Sequence, residues 1–334
     1  MANLKDLLAA FRSLTKDEQE AFSDAIKPLA NSVSLKELIS VKQRTSVLSC
    51  PDCHESSKLV KFGFHKGVQR YRCKICGRTF TPLTDTLLCG TQKNLHIWEK
   101  YVRCMIDGFS IRKSAEICNI NKNTAFSWRH KILDFISIYL EKHCKVKGII
   151  EADDTYFLLS FKGNKPLNRK SHKRGTPANK PGLSKEKVCV SCAIDRNGFS
   201  FSKVSALGKP SYKNLINVFN RCISRKSVLC CDKDSSYKLF ARKRKIKLIQ
   251  IEGGKSKLGI YHIQHINSYH SRLKQFINRF KGVSTKYLNN YLVWMNYIVE
   301  GEKKAINILK ACFKVMLDET WKDVLNKPSI PIRE

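Results

Sequence analysis

Acidic residues are scarce in this chain of 334 residues: 28 Asp and Glu stand against 62 Lys and Arg, a formal charge of +34. An excess of that size is more than a solvated surface needs, and a polyanion is the expected partner. Long apolar runs are lacking as well. None approaches the roughly 20 residues that a helix needs to cross a bilayer, so no membrane partner is expected. The first residues carry no basic segment leading into a continuous apolar one, and no secretory signal is read there. The 14 cysteines would suit a disulfide scaffold only in a short secreted chain, so here a reducing cytoplasm is expected. The hydrophobic content of 42% is enough for a core, and the length suits two or three modules.

Residues 1–47 hold seven Lys or Arg and six Asp or Glu, so nearly all of the charge excess lies later. Leu4, Leu7, Leu8, Phe11 and Leu14 make one apolar helical face, and Thr15 with Glu18 fits a capping box that opens a second helix ending near Pro28. This helical segment is either a dimerisation arm or a lid on its own chain. Cys50 and Cys53 form one CxxC knuckle and Cys73 and Cys76 another, with 19 residues between them. Two knuckles at this separation close a tetrahedral four-thiolate site, so residues 48–82 read as a zinc ribbon with a structural Zn²⁺. A redox pair is the competing reading. His54 and His65 lie nearby, but four thiolates already complete the site.

A helical period begins at Leu95. Within residues 90–142, Ser110–Cys118 and Lys122–Leu133 read as helix, tight turn at Asn119, helix. The second helix would present Lys122, Asn123, Ser127, Arg129 and Lys131 to a DNA groove, with Ala125 and Trp128 toward the core. An ordinary helical hairpin is the alternative. Residues 162–187 are a different texture, rich in Lys, Arg, Pro and Gly, with Glu186 as the one acid. They read as a flexible basic loop whose Arg169, Lys170, Lys173 and Arg174 could track nucleic acid.

The catalytic candidates lie on three further stretches. KGIIEADDTYF, from Lys147 to Phe157, reads as a buried strand on which Glu151, Asp153 and Thr155 share one side while Asp154 and Tyr156 take the other. A second apolar run, Val228–Cys231, ends at Asp232. A hairpin over Val188–Val204 separates them, and Cys189 and Cys192 on it face opposite sides of the strand and read as structural. A helix over Tyr261–Phe280 buries Ile263, Ile266, Tyr269, Leu273, Phe276 and Phe280, leaving Asn267, His270 and Lys274 on a second, polar face. The order of elements is that of an α/β domain with its acids at strand ends, and two further helices near 285–299 and 302–325 pack behind it.

CPDC…YRCKICGRTF, TAFSWRHKIL, EADDTYF, CCDKDSSY and NSYHSRLKQF occur in that order, and together they resemble the insertion-sequence transposases of the ISXO-like group. The resemblance covers roughly residues 48–300. It implies an RNase H-like mixed sheet at 147–300 bearing a DDE-type site, with a helical tail at 301–334. Asp153 and Asp232 would bind Mg²⁺ or Mn²⁺, the third position would fall at Asn267, and Lys274 would contact DNA. Most such enzymes place Glu at the third position, and His270 one turn away is the other candidate. The implied partners are double-stranded terminal inverted repeats and target DNA, bound by a homodimer or higher oligomer in the nucleoid of a bacterial cytoplasm. A domesticated regulator that binds DNA without cutting it is the alternative.

Overall fold

The computed structural model describes residues 10–19, 34–45, 48–143, 145–163, 182–252, 257–299 and 308–320. Most of the expected N-terminal helical face lies outside these residues. Within them the capping box is made: the Thr15 backbone N–H donates to the Glu18 carboxylate at 2.9 Å, and the Glu18 N–H donates back to Thr15 Oγ1 at 3.4 Å. Helix α1 (Leu35–Thr45) follows.

Strands β1 (Leu59–His65), β2 (Val68–Cys73) and β3 (Thr79–Phe80) form a small antiparallel sheet. Its first turn is Lys66–Gly67, both with positive φ, the conformation a tight two-residue hairpin needs. Helices α2 (Leu95–Ile106), α3 (Ile111–Cys118) and α4 (Lys122–His143) come next. Ser110 caps α3 by accepting the Lys113 N–H, and Asn119 ends it in the left-handed conformation, so the chain turns sharply into α4. Ala125 and Trp128 are buried, with Trp128 stacked on Trp98 at 3.6 Å.

The main sheet holds five strands, β4 (Ile149–Leu158), β5 (Lys187–Asp195), β6 (Ser200–Leu207), β7 (Val228–Asp232) and β8 (Lys247–Ile251). Their order is β6-β5-β4-β7-β8, with β5 antiparallel to both neighbours and β4, β7 and β8 parallel. This mixed topology is RNase H-like. Helices α5 (Tyr212–Phe219) and α6 (Ser235–Arg244) cover one face through Leu215, Phe219, Tyr237 and Phe240.

The other face packs on α4, on α7 (Gln264–Asn278) and on α8 (Leu288–Val293), which continues as a π turn to Val299. A two-stranded ribbon of β9 (Lys257–Leu258) and β10 (Tyr261–His262) leads into α7. The helix therefore starts at Gln264, three residues later than the apolar spacing suggests, because Tyr261 and His262 pair as strand.

Residues of α1, α2, α3, α4, α7, α8 and α9 (Ile308–Asp318) share one apolar cluster with one face of the sheet. Trp294 donates to the Met105 carbonyl at 3.2 Å across that cluster. Among the described residues, no helix is long and apolar enough to cross a membrane.

Candidate active site

Strand register sets the acid pair. Ile149, Ile150 and Glu151 of β4 lie level with Val228, Leu229 and Cys230 of β7. The same offset, 228 − 149 = 79 positions, carried two residues further places Asp153 level with Asp232 on the neighbouring parallel strand. Burial is the main reason that the Asp153 carboxyl is pushed up to about 7, with the Asp232 charge adding to it. Asp232 ends β7 and is exposed. Its own pKa is raised, first by desolvation and then by Asp234.

Asp154 points through the sheet to the opposite face. It accepts from Ser191 Oγ at 2.6 Å and from the Tyr237 hydroxyl at 3.0 Å, and burial pushes it up to about 6. Asp234 is occupied otherwise: it caps α6 through the Ser236 N–H and pairs with Lys209 at 2.7 Å.

Helix α7 brings His270 to Asp153, with Nδ1 3.7 Å from Oδ2. Desolvation, helped by the Lys274 charge, holds this imidazole down at about 4, so it is neutral at physiological pH. Its Nε2 is buried without a hydrogen-bond partner. Asn267 and Lys274 are exposed on the same helix. Of the three polar α7 residues expected at the site, His270 is the one placed against an acid.

Two residues before Asp153, on the same side of β4, Glu151 is 1% exposed and fully engaged. Oε2 accepts the backbone N–H groups of His265 at 2.8 Å and Ile266 at 3.1 Å, in the first turn of α7. Oε1 lies 3.0 Å from Arg196 Nη1 and 2.8 Å from His265 Nδ1, while Arg196 Nη1 also donates to His262 Nε2 at 2.6 Å. Glu151, His262 and His265 have the composition of a metal site, but the Arg196 guanidinium already sits among them as the cation. The carboxylate thereby bolts the start of α7 to β4. Arg196, His262 and His265 gave no sequence signal of this role, because they come from separate turns with no shared period.

The four cysteines converge as their spacing requires. Cys50–Cys76, Cys53–Cys76 and Cys53–Cys73 sulfurs are 3.4, 3.5 and 3.6 Å apart, close to the ~3.8 Å edge of a zinc–thiolate tetrahedron. Each knuckle is followed by a left-handed residue, His54 in one and Gly77 in the other. His54 therefore serves the backbone turn.

One expected groove residue is corrected. Arg129 is fully buried, donating to the Phe109 carbonyl at 2.8 Å and lying 4.6 Å over the Trp294 ring. It sits on the Ala125–Ile132–Leu133 stripe of α4 and cannot reach a groove. Lys122, Asn123, Ser127 and Lys131 are exposed. Arg169, Lys170, Lys173 and Arg174 lie outside the described residues.

Residues 145–299 match the family model of the ISXO2-like transposase domain. A protein of Halobacterium salinarum from the transposable element ISH50, itself uncharacterised, is 26% identical over 161 residues, 48% of this chain and 53% of its own. The chain thus spans about half the length of that curated relative.

Solved structures are more distant. A pre-cleavage Mos1 transpososome is 12% identical over 69% of this chain and 81% of its own, with a TM-score of 0.23. A simian T-cell lymphotropic virus intasome in complex with a PP2A regulatory subunit is 9% identical over 59% and 67%, with a TM-score of 0.30. The matched span contains the acid pair, the Glu151 bolt and the whole of α7. The four-cysteine ribbon and the α2–α4 helices precede it.

Proposed function

We propose that the chain is a metal-dependent DNA transposase that cleaves element ends at terminal inverted repeats and joins them to target DNA. The observation that carries this reading is the strand register that, carried two residues past Glu151, brings Asp153 level with Asp232 on adjacent parallel strands; among the described residues, neither carboxylate has a Lys or Arg ion pair. Two carboxylates are the oxygen donors a hard divalent cation takes, and desolvation of an unneutralised Asp153 is what such an ion would relieve.

Asp153, Asp232 and either His270 or Asn267 would hold Mg²⁺ or Mn²⁺. Bound there, the metal would supply Lewis-acid polarisation of the scissile phosphate and a lowered pKa for the attacking water or 3′-hydroxyl. The protein's own part is to fix the acids by strand register and to present His270 by bolting α7 through Glu151. Lys274, two turns beyond Asn267 on α7, would meet the substrate's phosphates. The four thiolates would hold a structural zinc that fixes the ribbon. Lys122, Asn123, Ser127 and Lys131 would lie along the end DNA, and two protomers would pair two ends.

The test is a strand-transfer assay with purified protein, Mg²⁺ or Mn²⁺ and labelled DNA carrying the flanking terminal repeats, run beside Asp232→Ala. Joined products that vanish in the variant support the reading. Specific binding of the ends without metal-dependent cutting would replace it with a regulator.

A further inference from the structure

Asp232 ends β7 and Asp153 lies midway along β4, whereas the end of the sheet where both strands begin is built from cations. Lys145 and Lys147 lead into β4, and Val146 between them bridges to Ile223 in the loop before β7. That loop carries Arg221, Arg225 and Lys226, all exposed. Val228 of β7 lies level with Lys247, the first residue of β8. Arg242, Lys243 and Lys245 surround the end of α6 and are exposed, and Arg244 ties that end to the α5–β7 loop by donating to the Asn220 carbonyl at 2.9 Å. Strand pairing and this hydrogen bond therefore gather the cations of four elements at one pole.

Among the described residues, none of these cations forms an ion pair with an acid. From Arg196 to Cys231 and from Ser235 to Ile251 the chain contains no Asp or Glu. Asp195 ends β5 there, but it is 2% exposed, and its carboxylate is taken up by the backbone N–H groups of Lys147, Asn197 and Phe199. A helix C-terminus attracts cations within its last turn, which accounts for Arg242 or Lys243. It does not account for Lys147, Arg225, Lys226 or Lys247, which lie on strands and loops. Like charges held together without partners cost stability, and a polyanion removes that cost.

We infer that this pole is a second DNA-binding surface, which holds the phosphate backbone of a duplex segment other than the one cut at Asp153 and Asp232. The two ends of the sheet face apart, so one short straight segment cannot occupy both. The charges offered are Lys and Arg ends, which meet phosphate oxygens and not base edges, so binding is indifferent to sequence. The choice of DNA as the polyanion rests on the proposed function.

The experiment is lysine acetylation of the full chain, read by mass spectrometry with and without a saturating random-sequence duplex of about three helical turns. Lys226, Lys243, Lys245 and Lys247 should be protected by the duplex. The quadruple variant Arg225→Gln, Lys226→Gln, Arg242→Gln, Lys243→Gln should bind the same duplex with a log K versus log salt slope smaller by about 3 to 4.

Equal acetylation of these lysines with and without DNA, or an unchanged slope, overturns the inference even where the wild type cuts and joins ends. Protection by an acidic polypeptide but not by DNA overturns it too. Protection and a reduced slope in a protein that cuts no DNA would leave the surface standing while the transposase reading fails.

Discussion

Glu151 and Asp153 stand two residues apart on one side of one strand, and the protein treats them in opposite ways. Glu151 receives two backbone N–H groups, a guanidinium and an imidazole within 3.1 Å. Asp153 has a backbone hydrogen bond from Asp154 and one imidazole at 3.7 Å, and burial still pushes its carboxyl up to about 7. A buried carboxylate that is fully matched by donors is part of the frame. One left short of them is poised to take a cation from outside. Carboxylate chemistry alone does not separate the two; the supply of donors does.

Breaking the unmatched acids should have the largest effect. Asp153→Asn or Asp232→Asn should lower strand cleavage by about 10³-fold or more, the loss of several kcal/mol of charge stabilisation, measured in single-turnover assays, with the fold intact by circular dichroism. Breaking the matched acid should cost stability first. Glu151→Gln strands the Arg196 charge and should cost about 3 kcal/mol in urea denaturation. An unfolding midpoint unmoved by Glu151→Gln would end the contrast.

Asp153 should also make stability depend on pH. An acid whose pKa is raised on folding keeps its proton longer in the folded state, so stability is lost as pH rises from the usual value of 3.8 through about 7. Metal-free protein should therefore melt lower at pH 8 than at pH 5. Asp153→Asn should reduce that difference without abolishing it, since Asp154 at about 6 contributes with the same sign. The smallest effect separates the α7 candidates: His270→Ala should raise the Mn²⁺ concentration for half-maximal cleavage about 10-fold, and Asn267→Ala by less. The reverse order would move the third position to Asn267.

What the sequence made legible was local. The CxxC knuckles, the Thr15–Glu18 box, the turn at Asn119 and the alternation of Asp153 with Asp154 each lie within a short segment whose geometry follows from spacing. The pairing of β4 with β7 was not legible, because parallel register depends on contacts across 79 positions. The Glu151 bolt was hidden for a similar reason: its partners come from the β5–β6 turn and the entry to α7. Arg129 shares the buried stripe of α4 with Ala125, Ile132 and Leu133, so its spacing puts it in the core while its charge suggests a groove.

The long basic segment between β4 and β5 is closed at its root. Leu159 donates to the Glu186 carbonyl at 2.8 Å, and Ser160 is held to Thr285 by hydrogen bonds of 2.8 Å in both directions. Doubling a closed loop costs only about 0.6 kcal/mol, and a closed root transmits none of the change to the strands. Copies of this domain can therefore gain, lose or exchange that segment while the spacing of Asp153 and Asp232 stays as it is.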